Sequence, residues 1–179
     1  MPNDVVTVRP AVLGDAEALA RVHTESWQAA YRGIVPDDYL DGLRWTERVE
    51  RWQRRLAAPV HRSEAVLVAA QDGDVCGFAH LGPARDTDTA GLTEIYAIYV
   101  EATAWGRGTG AALIHAALDR VPTGTPAVTL WVFEANAQAR RFYRRHGFAP
   151  DGTSKVESIG GRELTEIRYR RPGRPRRPR

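Results

Sequence analysis

The stretch WGRGTGA, residues 105–111, constrains the fold of this chain most strongly, because glycines occupy three of its positions. An apolar run, IYAIYV, precedes it, and a segment with apolar residues at helical spacing, ALIHAALDRV, follows it. The pattern predicts a strand, a turn of bare backbone and a helix. The unpaired N–H groups and the positive dipole end of that helix suit a phosphate group.

The rest of the chain predicts a mixed α/β domain without internal repeats. VVTVRPA is typical of a strand, and three helical segments follow it: AEALARVHTESWQAAY, PDDYLDGL and TERVERWQRRLAA. AVLVAAQDGDVCGFAHLG predicts a β-hairpin that turns at Asp72 and Gly73. AVTLWVF predicts a buried strand before a helix that ends at Gly147, and a polar hairpin turning at Gly160 and Gly161 follows. Such an order predicts helices packed on a sheet.

Charge is distributed unevenly along the 179 residues. The formal net charge is +3, but the last ten residues, RRPGRPRRPR, hold six arginines and no acid, so residues 1–169 carry −3. We expect a single domain over residues 1–169 and a disordered Arg/Pro-rich tail over residues 170–179, which has no apolar side chain to bury. The tail is either a solvated end or a nucleic-acid-binding arm.

The cysteine and apolar content bear on location. The single cysteine, Cys76, excludes an intramolecular disulfide and fits a reducing cytoplasm. The sequence has no basic start followed by an apolar stretch, and no apolar run approaches the length of a membrane span. A cytoplasmic protein with no membrane partner is therefore expected. The five histidines are scattered singly, so we predict no metal site.

Three interpretations of the glycine stretch compete. A P-loop is excluded, since no Gly-Lys-Ser/Thr follows. A dinucleotide fingerprint is formally present at Gly106, Gly108 and Ala111, with Glu134 at the end of the next strand. The residues after Glu134 are too few to build a second nucleotide-binding half. A tight connection without a ligand leaves three flexible residues unexplained.

The following segment, NAQARRFYRRHGF, separates these interpretations. Asn136, Arg140 and Tyr143 stand at i, i+4 and i+7 and share one face of the predicted helix, while Ala139 and Phe142 are placed to pack on the sheet. A polar Asn and a Tyr are thus aligned beside the helix of the glycine stretch.

Together these segments resemble the GNAT superfamily of acetyl-CoA-dependent N-acetyltransferases. The second segment matches the family pattern N-x-x-A-x-x-F-Y-x-x-x-G-F at every fixed position, from Asn136 to Phe148. The glycine stretch matches the family's pyrophosphate loop, Q/R-x-x-G-x-G/A, at Gly108 and Gly110, but Trp105 occupies the first position. The opening HTESWQAAYRGIVP also resembles the start of some members. The resemblance covers residues 6–169.

The resemblance implies a central, mostly antiparallel twisted sheet of about seven strands with a splayed parallel pair, and helices on both faces. Acetyl-CoA would lie between the parallel strands EIYAIYV and AVTLWVF. Backbone groups near Ile98 and Val100 would hold the pantetheine arm, and N–H groups from Arg107 to Ala111 the pyrophosphate. The cofactor-binding residues implied are Ile98, Tyr99, Val100, Trp105, Gly106, Arg107, Gly108, Thr109, Gly110, Ala111, Asn136 and Tyr143.

Direct attack of a primary amine on the thioester poses two proton-transfer problems. An amine with a pKa near 10 must lose a proton before it attacks, and a carboxylate near the acceptor would take that proton. Glu94 is the candidate base, because alternation places Glu94, Tyr96, Ile98 and Val100 on one face of their strand; it could equally be a strand-end acid in solvent. The departing thiolate needs an acid, and the family places one at Tyr143.

The acceptor is expected to enter over the first helices. Trp27 and Tyr31 stand four residues apart on one helix face, and Tyr96 is a third candidate substrate contact. The implied acceptor is a small-molecule amine or a peptide N-terminus, and the acidic body favours cationic amines. A homodimer is compatible with the resemblance.

Other functions compete with amine acetylation. The domain could bind acetyl-CoA as a non-catalytic regulatory sensor, although a sensor needs no acid at Tyr143. It could instead associate with nucleic acid through its basic tail. A dinucleotide-dependent oxidoreductase is a more distant alternative.

Overall fold

A computed structural model describes residues 6–59 and 64–173 of the chain. It contains seven strands and five α-helices within those ranges. The strands are β1 (Thr7–Pro10), β2 (Ala65–Gln71), β3 (Asp74–Pro83), β4 (Thr93–Val100), β5 (Ala127–Phe133), β6 (Ala149–Ile159) and β7 (Arg162–Pro172). The helices are α1 (Ala16–Ala30), α2 (Asp37–Gly42), α3 (Thr46–Ala57), α4 (Thr109–Arg120) and α5 (Ala137–Arg145).

The strands form one sheet in the order β1-β2-β3-β4-β5-β7-β6. Every neighbouring pair is antiparallel except β4 and β5, which are parallel. That pair is in register only from Thr93 to Ile95, against residues 128–130, and the strands then separate. The predicted mixed fold, with a mostly antiparallel seven-stranded sheet and a splayed parallel pair, is confirmed.

Helices cover both faces of the sheet, as predicted. On one face, α4 and α5 bury a core with side chains such as Leu113, Ile114 and Leu130. On the other, α1 and α3 pack Leu19, Trp52 and other apolar side chains against the strands. The α1–α2 connection and the β6–β7 hairpin bury a third cluster. The strands next to the separation of β4 and β5 therefore pack against buried side chains on both faces of the sheet.

A β-bulge in β4 changes which side chains share a face. Ile95 faces Leu81 on β3 and Ala97 faces His80, so Tyr96 is an extra residue without a partner position. Ile95, Ile98 and Val100 consequently pack in the α4 core, whereas Ala97 and Tyr99 pack beside α1. The predicted common face of Glu94, Tyr96, Ile98 and Val100 is wrong, because one extra residue inverts the alternation beyond it.

The last strand extends further than predicted. In β7, Arg170, Arg171 and Pro172 lie opposite residues 129, 128 and 127 of β5. The prediction of disorder from residue 170 is therefore wrong for residues 170–172, because strand pairing with β5 orders a segment that has little apolar surface. Residues 174–179, the rest of the predicted tail, lie outside the described residues.

A buried histidine joins the α1 core. The imidazole of His23 stacks on Tyr99 with ring centroids 5.3 Å apart, and its edges meet Trp52 and Phe78. Burial, with the nearby positive charge of Arg48, lowers the pKa of His23 to about 3. The ring is therefore neutral at physiological pH and acts as an aromatic packing group.

The low pKa of His23 predicts acid-sensitive stability. Below the unfolded-state pKa of about 6.5, only the unfolded chain takes up this proton, so the free energy of unfolding falls as pH falls. Replacing His23 with Phe removes this pH-dependent contribution to the free energy of unfolding. Urea unfolding measures the free energy of unfolding at pH 7.5 and at pH 5.5. Between these two pH values, wild type is expected to lose about 1.4 kcal/mol more of this free energy than H23F does. Equal losses in both proteins would show that His23 is protonated in the fold.

No helix within the described ranges is both long enough and apolar enough to cross a bilayer.

Candidate active site

The separation of β4 and β5 opens a cleft of about 910 Å³. It extends from the glycine stretch at one end, between α4 and α5, to the α1 and β6–β7 side at the other. Most of the predicted site residues line it. They are Trp27, Tyr31, Glu94, Tyr96, Ile98, Tyr99, Val100, Trp105, Gly106, Gly108, Gly110, Ala111, Asn136 and Tyr143. Arg107 and Thr109 are not among its lining residues; Arg107 is exposed and Thr109 is buried at the start of α4.

The glycine stretch presents bare backbone at the N-terminus of α4. Gly106 and Gly108 have φ values of 73° and 85°, and a Cβ at either position would meet no atom within 4 Å. Gly108 is the N-cap, so the first N–H groups of α4 open beside it. A glycine is favoured at position 110 for a different reason, because a Cβ there would lie 3.3 Å from the Phe142 ring of α5, which is a tighter contact than is usual.

Trp105 replaces the family's Gln or Arg with a side chain that bonds inward. Its indole Nε1 donates to the Val100 carbonyl at 2.8 Å, at the end of β4. The indole therefore ties the glycine stretch to the strand before it. The same bond uses one of the two acceptor positions of the Val100 carbonyl, a group that the resemblance assigned to the pantetheine arm.

The second βα unit is capped at both ends, and the sequence predicted the C-terminal cap, Gly147. Asn136 Oδ1 accepts from the Ala139 N–H at 3.0 Å, and Gly147, at φ 84°, follows the last turn. Tyr143 lies in the α4 core and lines the cleft. Arg140 does not line the cleft: it donates to the Glu134 carbonyl and the Tyr169 hydroxyl.

Three phenols converge where the strands separate. The hydroxyls of Tyr31 and Tyr99 lie 3.2 Å apart, and Tyr143 is near enough to influence the ionisation of Tyr31. Burial raises the pKa of all three above the ordinary value of 10.0. Each remains a protonated hydrogen-bond donor across the physiological pH range.

Glu94 is buried, with 2% of its surface exposed. The Arg85 backbone N–H and Nε both donate to Glu94 Oε2, and the same guanidinium donates to Oε1. A carboxylate offers about four acceptor positions, so these three bonds leave one position on Oε1. The alternative that Glu94 is a solvated strand-end acid is wrong.

Comparison with known proteins identifies the family. Residues 21–148 match the family described as "Acetyltransferase (GNAT) family". The chain belongs to the GNAT acetyltransferase family. The predicted family and acyltransferase class are confirmed.

Individual relatives agree with this assignment. The chain is 35% identical over 166 residues to the uncharacterized N-acetyltransferase YuaI of Bacillus subtilis strain 168, covering 91% of each protein. It is 25% identical over 167 residues to the L-amino acid N-acetyltransferase AaaT of Escherichia coli K12, covering 92% of this chain and 95% of AaaT.

Solved structures share the fold. PaiA N-acetyltransferase from Thermoplasma acidophilum, crystallised in complex with coenzyme A, superposes with a TM-score of 0.69 at 23% identity and covers 94% of this chain and 99% of its own. The acetyltransferase yncA of Salmonella typhimurium, solved with its cofactor acetyl-CoA, has a TM-score of 0.68 at 20% identity. It covers 95% of this chain and 94% of its own.

The far end of the cleft in this GNAT protein contains side chains that the sequence alone did not indicate. Trp131, Phe133, Lys155 and Glu166 line it, brought together from β5, β6 and β7. Their positions depend on strand pairing: Phe133 lies opposite Glu166, and Glu166 lies opposite Lys155. The one available signal was compositional, since Lys155 is the only lysine in the sequence.

Arg168 fixes the loop that carries Arg85. Its guanidinium is 4% exposed and donates to the carboxylates of Asp86, Asp88 and Asp151. These bonds join the β3–β4 loop to β6 and β7. The loop whose Arg85 binds Glu94 is thereby fixed to β6 and β7.

The predicted acceptor contacts have mixed surroundings. Trp27 packs edge-on against Tyr31, with the two ring centroids 4.9 Å apart. Tyr31 also meets the Phe133 ring at 5.0 Å. The Tyr96 hydroxyl donates to the Pro83 carbonyl at 2.6 Å, and its ring lies under Arg85. All three residues line the cleft.

Proposed function

We propose that this GNAT protein transfers the acetyl group of acetyl-CoA to a primary amine by direct attack. One observation carries the proposal: the parallel pair opens just after Ile95 and Leu130, and the resulting cleft joins the bare N-terminus of α4 to the Tyr143 side chain. A long co-substrate with phosphates at one end and a reactive thioester at the other matches that arrangement.

The residues present fit acetyl-CoA. The positive dipole end of α4 and the open backbone at Gly106 and Gly108 favour a pyrophosphate. The edges of β4 and β5 that separate beyond Ile95 leave backbone groups for the amide-bearing arm. We assign the pyrophosphate to the N–H groups of residues 107–111, the arm to residues 98–100, and a further contact to Asn136.

Tyr143 is the proposed acid. Acetyl-CoA supplies a thioester whose C–S bond breaks as the acceptor nitrogen forms a C–N bond to the acetyl carbon. Tyr143 donates its phenolic proton to the departing sulfur. Burial raises the pKa of Tyr143, so the phenol keeps its proton until the sulfur departs.

Glu94 is the proposed base, acting through a water molecule. Arg85 occupies most of its acceptor positions, and a water at Oε1 would relay the proton from the acceptor nitrogen. Trp27, Tyr31 and Tyr96 are the proposed walls around the acceptor. The relative AaaT is named for L-amino acids, so amino acids belong in any acceptor screen beside polyamines and peptides.

Calorimetry and a turnover assay test the proposal together. The purified full chain is titrated with acetyl-CoA and, separately, with NADH, and is then incubated with acetyl-CoA and a panel of amines while free thiol and product mass are followed. We expect saturable binding of acetyl-CoA, no binding of NADH, and formation of an acetylated amine. A folded protein that does not bind acetyl-CoA contradicts the proposal, and binding without turnover of any amine favours the regulatory alternative.

The nucleic-acid alternative has a separate test. Deleting residues 174–179 removes four of the tail's arginines and leaves β7 intact. Salt-sensitive binding to nucleic acid that disappears with this deletion would support an arm.

A further inference from the structure

The only lysine of the chain lies in the active-site cleft. Lys155 is one of 25 basic residues, and all the others are arginines. It lies on β6, and its side chain reaches the acceptor end of the cleft. It is therefore the one side-chain primary amine of the protein, placed where the proposed acceptor amine must bind.

The contacts of Lys155 are those of a bound ammonium group. Its Nζ lies 3.2 Å from Glu166 Oε2 and 3.4 Å from Glu157 Oε1, and it sits 4.5 Å from the centroid of the Trp131 ring. An aromatic face and a carboxylate together attract a primary ammonium by charge and by the ring quadrupole. A guanidinium, which is planar and larger, has different geometric requirements.

The two partners of Lys155 differ in their surroundings. The side chain of Glu166 is 18% exposed, and its charge acts on the hydroxyls of Tyr31 and Tyr99 at the separation of the strands. The side chain of Glu157 is 49% exposed. Both carboxylates line the cleft, but Glu166 acts on the tyrosine hydroxyls, whereas Glu157 is the more exposed of the two.

Burial also makes Glu166 dependent on a cation. It raises the pKa of this carboxyl, and the charge of Lys155, with a smaller contribution from Arg85, acts in the opposite direction. A half-buried carboxylate that loses its counter-ion is penalised, so a second cation is favoured whenever Lys155 leaves. Lys155 itself is 37% exposed and keeps Glu157 as a partner nearer solvent.

We propose that Glu166 and the Trp131 ring form an ammonium site that Lys155 occupies in the free protein and that the acceptor's primary ammonium takes by displacing Lys155. The inference rests on the proposed function for the identity of the occupant. The proposal implies that the acceptor is a compound with a protonated primary amine. Lys155 would then compete with the acceptor for this site, and compounds that bind weakly would not displace it. Glu166 is then a specificity-determining residue.

A single lysine makes the displacement directly observable. Protein labelled with [13Cε]lysine gives one side-chain signal by NMR, that of Lys155. The probe is n-butylammonium chloride, a primary ammonium on an alkyl stem, and sodium butyrate at equal ionic strength is the matched control. We expect n-butylammonium to move the signal saturably towards that of free lysine, and butyrate to leave it unchanged.

Two variants complete the test. In Glu166→Gln, which keeps the shape and removes the charge, n-butylammonium is expected to produce no saturable shift. Lys155→Met keeps an unbranched stem and removes the competitor, so calorimetry should show n-butylammonium binding about tenfold more tightly if Lys155 holds the site about nine-tenths of the time. Retained acetyl-CoA binding verifies that both variants are folded.

The possible results are separable. A Lys155 signal that n-butylammonium does not move, or moves equally in Glu166→Gln, overturns the ammonium site. These NMR measurements contain no acetyl-CoA, so a displaced Lys155 in a protein that acetylates no amine would support the site and contradict the proposed function instead.

Discussion

An aspartate at position 108 is expected to weaken acetyl-CoA binding by about thirtyfold relative to an asparagine at the same position. Gly108 is the N-cap of α4, at φ 85°. Asp and Asn tolerate that conformation to similar extents and have nearly the same shape, so both variants carry the same backbone strain. They differ by one negative charge beside the proposed pyrophosphate, worth about 2 kcal/mol at an effective dielectric constant of about 20 after screening.

Calorimetry with acetyl-CoA on wild type, Gly108→Asn and Gly108→Asp measures that difference. Thermal unfolding without ligand is the control, because an acid at a helix N-terminus favours the folded helix. Gly108→Asp should thus be at least as stable as Gly108→Asn while binding more weakly. Equal affinities in the two variants would show that no phosphate lies at the start of α4.

Removing the hydroxyl of Tyr143 is expected to lower kcat by about 10² without abolishing turnover. The phenol donates the proton that the departing sulfur needs, whereas a thiolate remains a fair leaving group on its own. Because burial raises the pKa of Tyr143, wild-type kcat should show no loss from ionisation of this group below pH 10. Steady-state kinetics on Tyr143→Phe, with the acceptor found in the amine screen, measures the effect.

Tyr169 provides the matched control for that measurement. It is fully buried, its hydroxyl accepts from Arg140 Nε, and it is not among the residues that line the cleft. Tyr169→Phe removes a buried phenol hydroxyl of the same kind and should leave kcat within about twofold of wild type after allowance for stability. A Tyr143→Phe variant with the kcat of the control would remove Tyr143 from the chemistry.

Features of the fold set by neighbouring residues could be predicted from the sequence. The hairpin turn at Asp72 and Gly73 has the positive φ angles that such a turn requires. The end of α5 was predicted from Gly147, whereas the Asn136 cap at its start emerged from the structure. The family pattern fits the same segments, because its fixed positions are caps, glycines and helix-face residues that a linear motif records.

The sequence predicted those parts of the candidate site that depend on residues close together in the chain. Gly106 and Gly108 lie at the N-terminus of α4, and Tyr143 lines the cleft, as the motif spacing indicates. The bond from Trp105 to Val100 was not foreseeable, since nothing in a linear pattern tells where an indole N–H will point. The side chains that share a face of β4 were predicted wrongly, because a tyrosine at position 96 does not by itself indicate a bulge.

The sequence by itself determined the order of elements, their caps and turns, the bare backbone before α4 and the family to which the chain belongs. Those features depend on residues a few positions apart, whose steric and hydrogen-bonding preferences act within one element. Tertiary structure decided which charges meet: Glu94 with Arg85, and Lys155 with Glu166 over Trp131. Such pairs arise from strand register and loop placement, which the packing of the whole sheet fixes.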